Sequence, residues 1–236
     1  TLKETFTPGE NGQGEKVELY AQSLDLHSLA NFAEHLPIPL DQRRLLMDVA
    51  PKGVLKEFTA RWQGSFPEIS SYSVKGHFSN LEMQPLKAQL ARPKMGKTPA
   101  KAAVPAIPGF DNLSGSIDAT DKGGSFTLDS HDLVLQLPSY FVDPLMPFKR
   151  LQMRAQWEFA NDDKLLFQIH DMDFEQDGAI GSLSGKHVMS MRQQDLGELD
   201  ISGRLNGFDL KTINRYIPAH TPDDLRFWLS NALLDG

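Results

Sequence analysis

Leu151, Met153, Ala155, Trp157 and Phe159 alternate strictly with Gln152, Arg154, Gln156 and Glu158. A period of two sends successive side chains to opposite faces of an extended strand, so this stretch has one apolar and one wet face. The same split sets Phe58, Ala60 and Trp62 against Glu57, Thr59, Arg61 and Gln63. Further strands are predicted at 54–64, 72–78, 113–119, 126–137, 165–174, 183–191 and 199–205. Turn residues fall between them at 121–124, 161–163 and Asp177-Gly178. Successive strands joined by tight turns make a mostly antiparallel sheet.

A glycine recurs on the apolar side of these strands, in Val74-x-Gly76-x-Phe78, Leu113-x-Gly115-x-Ile117 and Ile201-x-Gly203-x-Leu205, with Leu183-x-Gly185 starting a fourth case. Glycine weakens a strand, so its recurrence marks a bend, a bulge or the close approach of another group. Two readings follow: a sheet curled towards its apolar side, or relief of crowding in a sandwich core.

Helical periodicity is confined to two regions. Leu26, Leu29, Phe32, Ala33 and Leu36 predict a short amphipathic helix ending before Pro37. A second helix follows, with Asp41 as cap, Leu45, Leu46 and Val49 on one side, and Pro51 and Gly53 as the stop. Near the other terminus Thr221 is a cap, Pro222 suits the first helical position, Asp223 and Asp224 suit the positive end of the helix dipole, and Leu225, Trp228, Leu229 and Ala232 form an apolar face. The two regions match: Leu24, Leu29, Pro37, Asp41, Ala50 and Gly53 correspond to Leu205, Leu210, Pro218, Asp223, Ala232 and Gly236, with two single-residue gaps. The chain therefore reads as a slice of a longer repeating protein. Its expected parts are a flexible N-terminal segment (1–16), a strand with the helix pair that opens a repeat (17–53), an antiparallel β segment (54–208) and a second, truncated helix pair (209–236). Within the β segment, Pro93, Pro99, Pro105 and Pro108 with Lys94, Lys97 and Lys101 predict a mobile loop at 92–109, and Pro138, Pro144 and Pro147 a second irregular connection.

Chemistry is sparse. The chain has no cysteine, which removes thiolate ligands, thiol nucleophiles and disulfides together. Its seven histidines show neither HxH nor HExxH spacing. The serines of Gly181-Ser-Leu-Ser-Gly185 lie off-centre in a strand, unlike a nucleophile elbow. Asp171, Asp173 and Glu175 alternate along one strand, but the apolar phase shifts from Leu165, Phe167 and Ile169 to Met172 and Phe174. That shift implies a bulge near His170 and leaves the three acids on the wet side. No catalytic residue, metal site or cofactor is expected. A formal net charge of −7 without a basic cluster argues against a nucleic-acid partner.

Several stretches together resemble the periplasmic AsmA-like YhdP family: Ile107-Pro-Gly-Phe-Asp-Asn-Leu-Ser-Gly-Ser-Ile117, Gly123-Gly124, Leu128-Asp-Ser130, Leu135 to Leu137, Gln156-Trp-Glu158, and Ile213-Asn-Arg-Tyr-Ile-Pro218 leading into Trp228-Leu-Ser-Asn-Ala-Leu-Leu-Asp-Gly236. The resemblance implies a large inner-membrane-anchored protein of Gram-negative bacteria whose long β-sheet, curled into a groove, spans the periplasm. It also implies phospholipid movement towards the outer membrane, in support of its permeability barrier, and offers no catalytic motif to carry over.

The expected fold is thus mainly β: a long curved antiparallel sheet forming an open apolar groove, with short helix pairs near the ends of each repeat. An open amphipathic sheet must cover its apolar face, and acyl chains would serve. The groove candidates are Phe58, Trp62, Val74, Phe78, Met153, Trp157, Phe159, Phe167 and Ile169. The expected partners are phospholipid acyl chains, the rest of the same polypeptide, and both membranes through segments outside this slice. The residues alone equally admit a closed sandwich core. The function of a different class is a structural or adhesive β module that binds protein or glycan through its surface.

Overall fold

The structure, a computed structural model, describes residues 2–7, 15–33, 40–64, 69–86, 106–138, 140–141, 143–160, 164–190, 197–209, 212, 215–219 and 221–232. Its strands are β1 (Leu2–Thr7), β2 (Lys16–Asp25), β3 (Lys52–Gln63), β4 (Ser71–Met83), β5 (Gly109–Thr120), β6 (Gly123–Gln136), β7 (Leu145–Ala160), β8 (Lys164–Gln176), β9 (Ala179–Ser190) and β10 (Glu198–Asn206). The helices among the described residues are α1 (Leu26–Ala33), α2 (Leu40–Val49) and α3 (Asp223–Ala232). All ten strands form one sheet in chain order, each antiparallel to its sequence neighbours. The expected open, mainly β architecture is what the alternation produces.

The two ends of the strands differ. At one end, the turn end, hairpins such as 120–123 join the strands. At the other, the helical end, β2 runs into α1, and Asp25 caps that helix by accepting the Ser28 N–H at 2.7 Å. This bond holds the Asp25 carboxyl below its ordinary range. α1 packs on β2 and β3, and the Gln84 N–H at the end of β4 donates to the Val49 carbonyl at the end of α2 (2.9 Å).

Bulges interrupt four adjacent strands. Glu57, Asn80, Asn112 and Asp132 each adopt a positive φ, and the β3–β4, β4–β5 and β5–β6 registers shift at the first three. Asparagine and aspartate tolerate this conformation better than other non-glycine residues. β8 carries a further irregularity between Ile169 and Met172, where the apolar phase shift placed it.

Several expectations need correction. The sheet is open but uncurled. Its apolar-side glycines make room for neighbours: a Cβ on Gly76 would lie 2.8 Å from Phe58 Cα, one on Gly124 would lie 2.8 Å from Trp157 Cη2, and one on Gly115 would collide with the Thr127 carbonyl. Because that last obstacle is backbone, Gly115→Ala should destabilise the chain by about 1–3 kcal/mol, read as a lowered urea midpoint.

The segment 1–16 is not uniformly flexible, since Leu2–Thr7 is β1 and Lys16 opens β2. A polar stretch can serve there because pairing satisfies the backbone of β2, which would otherwise be the sheet edge. The loop expected at 92–109 ends earlier: Ile107 forms an antiparallel bridge with Leu86, and Gly109 begins β5. Residues 92–105 lie outside the described residues, as do 161–163 and Leu36, Pro37, Leu210, Ile213 and Gly236. So do the side chains of Ala33, Asp41, Leu45, Leu229 and Ala232. Pro147 belongs to β7, opposite Val134, near the strand's start where a proline is tolerated. Among the described residues, the second helix pair is represented by α3 and by 3-10 geometry at Thr212, Arg215 and Tyr216. β10 ends at Asn206 as β2 ends at Asp25, and α3 stands after it as α2 stands after β2.

Candidate functional site

Cross-strand partners share a face, so the register assigns every strand residue to one side of the sheet. One row runs unbroken across β2 to β10: Leu19, Ala60, Val74, Ala119, Gly124, Trp157, Phe167, His187 and Leu199, each paired with the next. Four residues along the strands, or five in β8 across its irregularity, Phe78, Gly115, Leu128, Met153, Met172 and Leu183 belong to a parallel row on the same face. Between these rows Phe126, Ala155 and Ile169 are paired in turn. Phe58 pairs with Ala21, Trp62 with Tyr72, and Phe159 with Leu165. All nine groove candidates therefore lie on one face of a single sheet.

None of the nine is fully buried. Phe159 is exposed and the other eight are half-buried. Each row contains one glycine, Gly124 or Gly115, and rings lean over glycines of this face, Trp157 over Gly124 and Phe58 beside Gly76. Trp157 lies over Gly124 and meets Phe126 with ring centres 6.1 Å apart, while Phe126 meets Phe167 at 6.3 Å. The result is a low aromatic surface without a second sheet above it among the described residues. At the edge, Leu199, Ile201 and Leu205 of β10 continue the face and are exposed.

Towards the helical end the same face is covered. Leu133, Met146, Phe148 and Leu151 form a buried cluster, with Phe110, Leu135, Phe141, Phe174 and Tyr216 packed against it. The buried Ser130 hydroxyl beside this cluster is satisfied, accepting the Ser114 N–H (3.0 Å) and donating to the Ser114 carbonyl (3.1 Å). Of these four only Leu151 is assigned to an apolar strand face by the alternation, and none is distinguished as covered. Leu133 and Leu151 lay within predicted strands, but nothing in a period-two pattern separates a covered stretch of a face from an open one.

The opposite face is polar and stitched by ion pairs between neighbouring strands. Arg61 meets Glu18 at 2.7 Å, Lys75 meets Asp118 at 2.7 Å, Arg154 meets Asp171 at 2.5 Å and Lys149 meets Glu175 at 2.8 Å. Such exposed pairs contribute little stability. Their consequence is negative: stacking a second sheet here would desolvate charges that water now screens. Two of the three acids that alternate along β8, Asp171 and Glu175, are engaged in these pairs. Among the described residues, no group of three or more His, Asp or Glu is placed to hold a metal ion. A hollow of about 500 Å³ at the turn end mixes Thr5, Thr7, Arg61 and Gln63 with Trp62 and Tyr72. No described helix is long and apolar enough to cross a membrane.

A protein-family model described as "YhdP protein" matches residues 2–236. No curated protein and no solved structure matches the chain.

Proposed function

The chain belongs to the YhdP family, and from that premise we propose that its sheet carries phospholipid across the periplasm, shielding acyl chains on the apolar face as part of an inner-membrane-anchored protein that supports the outer-membrane permeability barrier. The observation that carries this reading is the continuous row from Leu19 to Leu199, apolar except at His187, with half-buried aromatics. Ten strands at about 4.8 Å each make a face on the order of 45 Å long. One leaflet's acyl layer is roughly 15 Å deep, half of a bilayer's hydrocarbon thickness. The face is thus long enough for several lipids in file. Each methylene kept from water contributes about 0.8 kcal/mol, so coverage of an acyl chain offsets the cost of leaving the bilayer in proportion to the methylenes covered. From Leu19 to Phe167 the row carries no polar side chain that would fix a chain at one place, which also suits movement. The reaction is transfer without bond chemistry, and no cofactor is invoked.

The second reading, a β module binding glycan, draws on the mixed aromatic and hydroxyl hollow around Thr5, Trp62 and Tyr72. Native mass spectrometry of the chain purified from cells separates the two. Phospholipid adducts, lost on detergent exchange and spaced by lipid masses, are the expected result. A lipid-free chain that retains oligosaccharide would overturn the transport reading.

A further inference from the structure

We infer that residues 215–219 form a releasable strap, latched by Arg215, which covers the helical-end margin of the apolar face and so sets the width open to acyl chains. This rests on the lipid-path reading above. After the edge strand β10 the chain returns over the middle of the sheet. Pro218 bridges Phe141, and the Ala219 N–H donates to the Tyr140 carbonyl at 2.8 Å. Ile217 is buried, and the Tyr216 ring packs on the Leu133 cluster and edge-on to Phe208, 5.5 Å away. The buried cluster of this face lies against this segment, whereas the candidate rows towards the turn end stay half-buried or exposed.

The latch is one guanidinium between two elements. Arg215 Nε donates to Asp143 Oδ2 (3.0 Å) in the β6–β7 connection, and Nη1 to Asp177 Oδ2 (2.6 Å) in the β8–β9 turn. Nη2 reaches the Leu145 carbonyl at 3.4 Å, and the Tyr216 hydroxyl reaches Asp177 at the same distance. The Leu145 N–H and Arg215 together hold the Asp143 carboxyl below its ordinary range, so Asp143 stays charged at neutral pH and keeps hold of the cation. Arg215 remains about a third exposed, which keeps the ion pairs weak enough to open. With the strap closed, acyl chains are confined to the rows between it and the turn end. With the strap released, Met146, Phe148, Leu151 and Phe174 join the open surface and the path widens.

The absence of cysteine makes single cysteines clean reporters. In the full chain, Met146→Cys reports beneath the strap and Phe167→Cys on the open row, each with Arg215 intact and with Arg215→Ala. N-ethylmaleimide should modify M146C slowly in the first background and about tenfold faster in the second, as local opening becomes easier. F167C should react alike in both, which separates strap release from general unfolding. Arg215→Lys should fall between. Equal M146C rates in the two backgrounds, or a parallel rise at F167C, overturn the latch. Vesicles of phosphatidylethanolamine and phosphatidylglycerol should protect F167C in both backgrounds, but M146C only with R215A. Protection of F167C without protection of M146C in R215A overturns the control of width and leaves the lipid path standing. Protection at neither position overturns the lipid path, and control of width with it, while the maleimide rates still decide the latch.

Discussion

Trp157→Glu or Phe167→Glu should abolish phospholipid retention and make the outer membrane leaky while lowering the melting temperature by only a few degrees. Both side chains are half-buried on the open part of the face, beside Phe126. A carboxylate placed there reaches water when the face is empty, so folding loses only the packing of one ring, roughly 1–2 kcal/mol. When acyl chains occupy the row, the same carboxylate must be desolvated without a partner, which disfavours the loaded state strongly. The defect in transport should therefore exceed the defect in stability. Thermal melts beside an outer-membrane leakage assay and lipid extraction measure both. If both variants are unfolded, the aromatic row is a folding core and the transport reading fails.

Leu133→Asp should do the reverse and unfold the chain. Leu133 is fully buried between Met146, Phe148 and Leu151, on the same side of the sheet but under the strap. A charge introduced there has no route to water. The cost exceeds roughly 4–5 kcal/mol, a large share of the stability of an ordinary domain. Leu133→Ala, which leaves a cavity in place of a charge, should cost about 2–5 kcal/mol. Circular dichroism of L133D should show loss of the sheet signal at room temperature. A folded L133D that melts close to the parent would mean that water reaches the cluster and that the strap seals nothing. The same class of substitution thus distinguishes the two parts of one face.

Strands β2 to β10 were legible because alternation is dictated locally, by which side of the sheet each residue must serve, whereas the polar β1 was not. The bulge in β8 was legible for the same reason, since the step from Ile169 to Met172 breaks the phase. Bulges at Asn80, Asn112 and Asp132 left only a faint signal, the tolerance of these residue types for positive φ, and Glu57 left none. The common face of the nine candidates was half legible: alternation gave each strand a side, but only the register joined the sides into one surface. The curl was read into glycines that accommodate neighbouring backbone and rings. The strap was illegible because Arg215, Asp143 and Asp177 are joined by ion pairs distant in sequence, which follow no period. Its Tyr216 and Ile217 fitted equally well into the helix expected by analogy with α1.

The strand order of the sheet is the order of the chain, with no crossover. A hairpin removed or duplicated at any point would leave every other pairing in its register and each row with the same sequence of faces. Only the length of the face would change, by two strand spacings or on the order of 10 Å. Span is thereby uncoupled from cross-section, as in solenoids that lengthen by whole units. A protein built this way can be fitted to a gap of given width by the number of its hairpins alone.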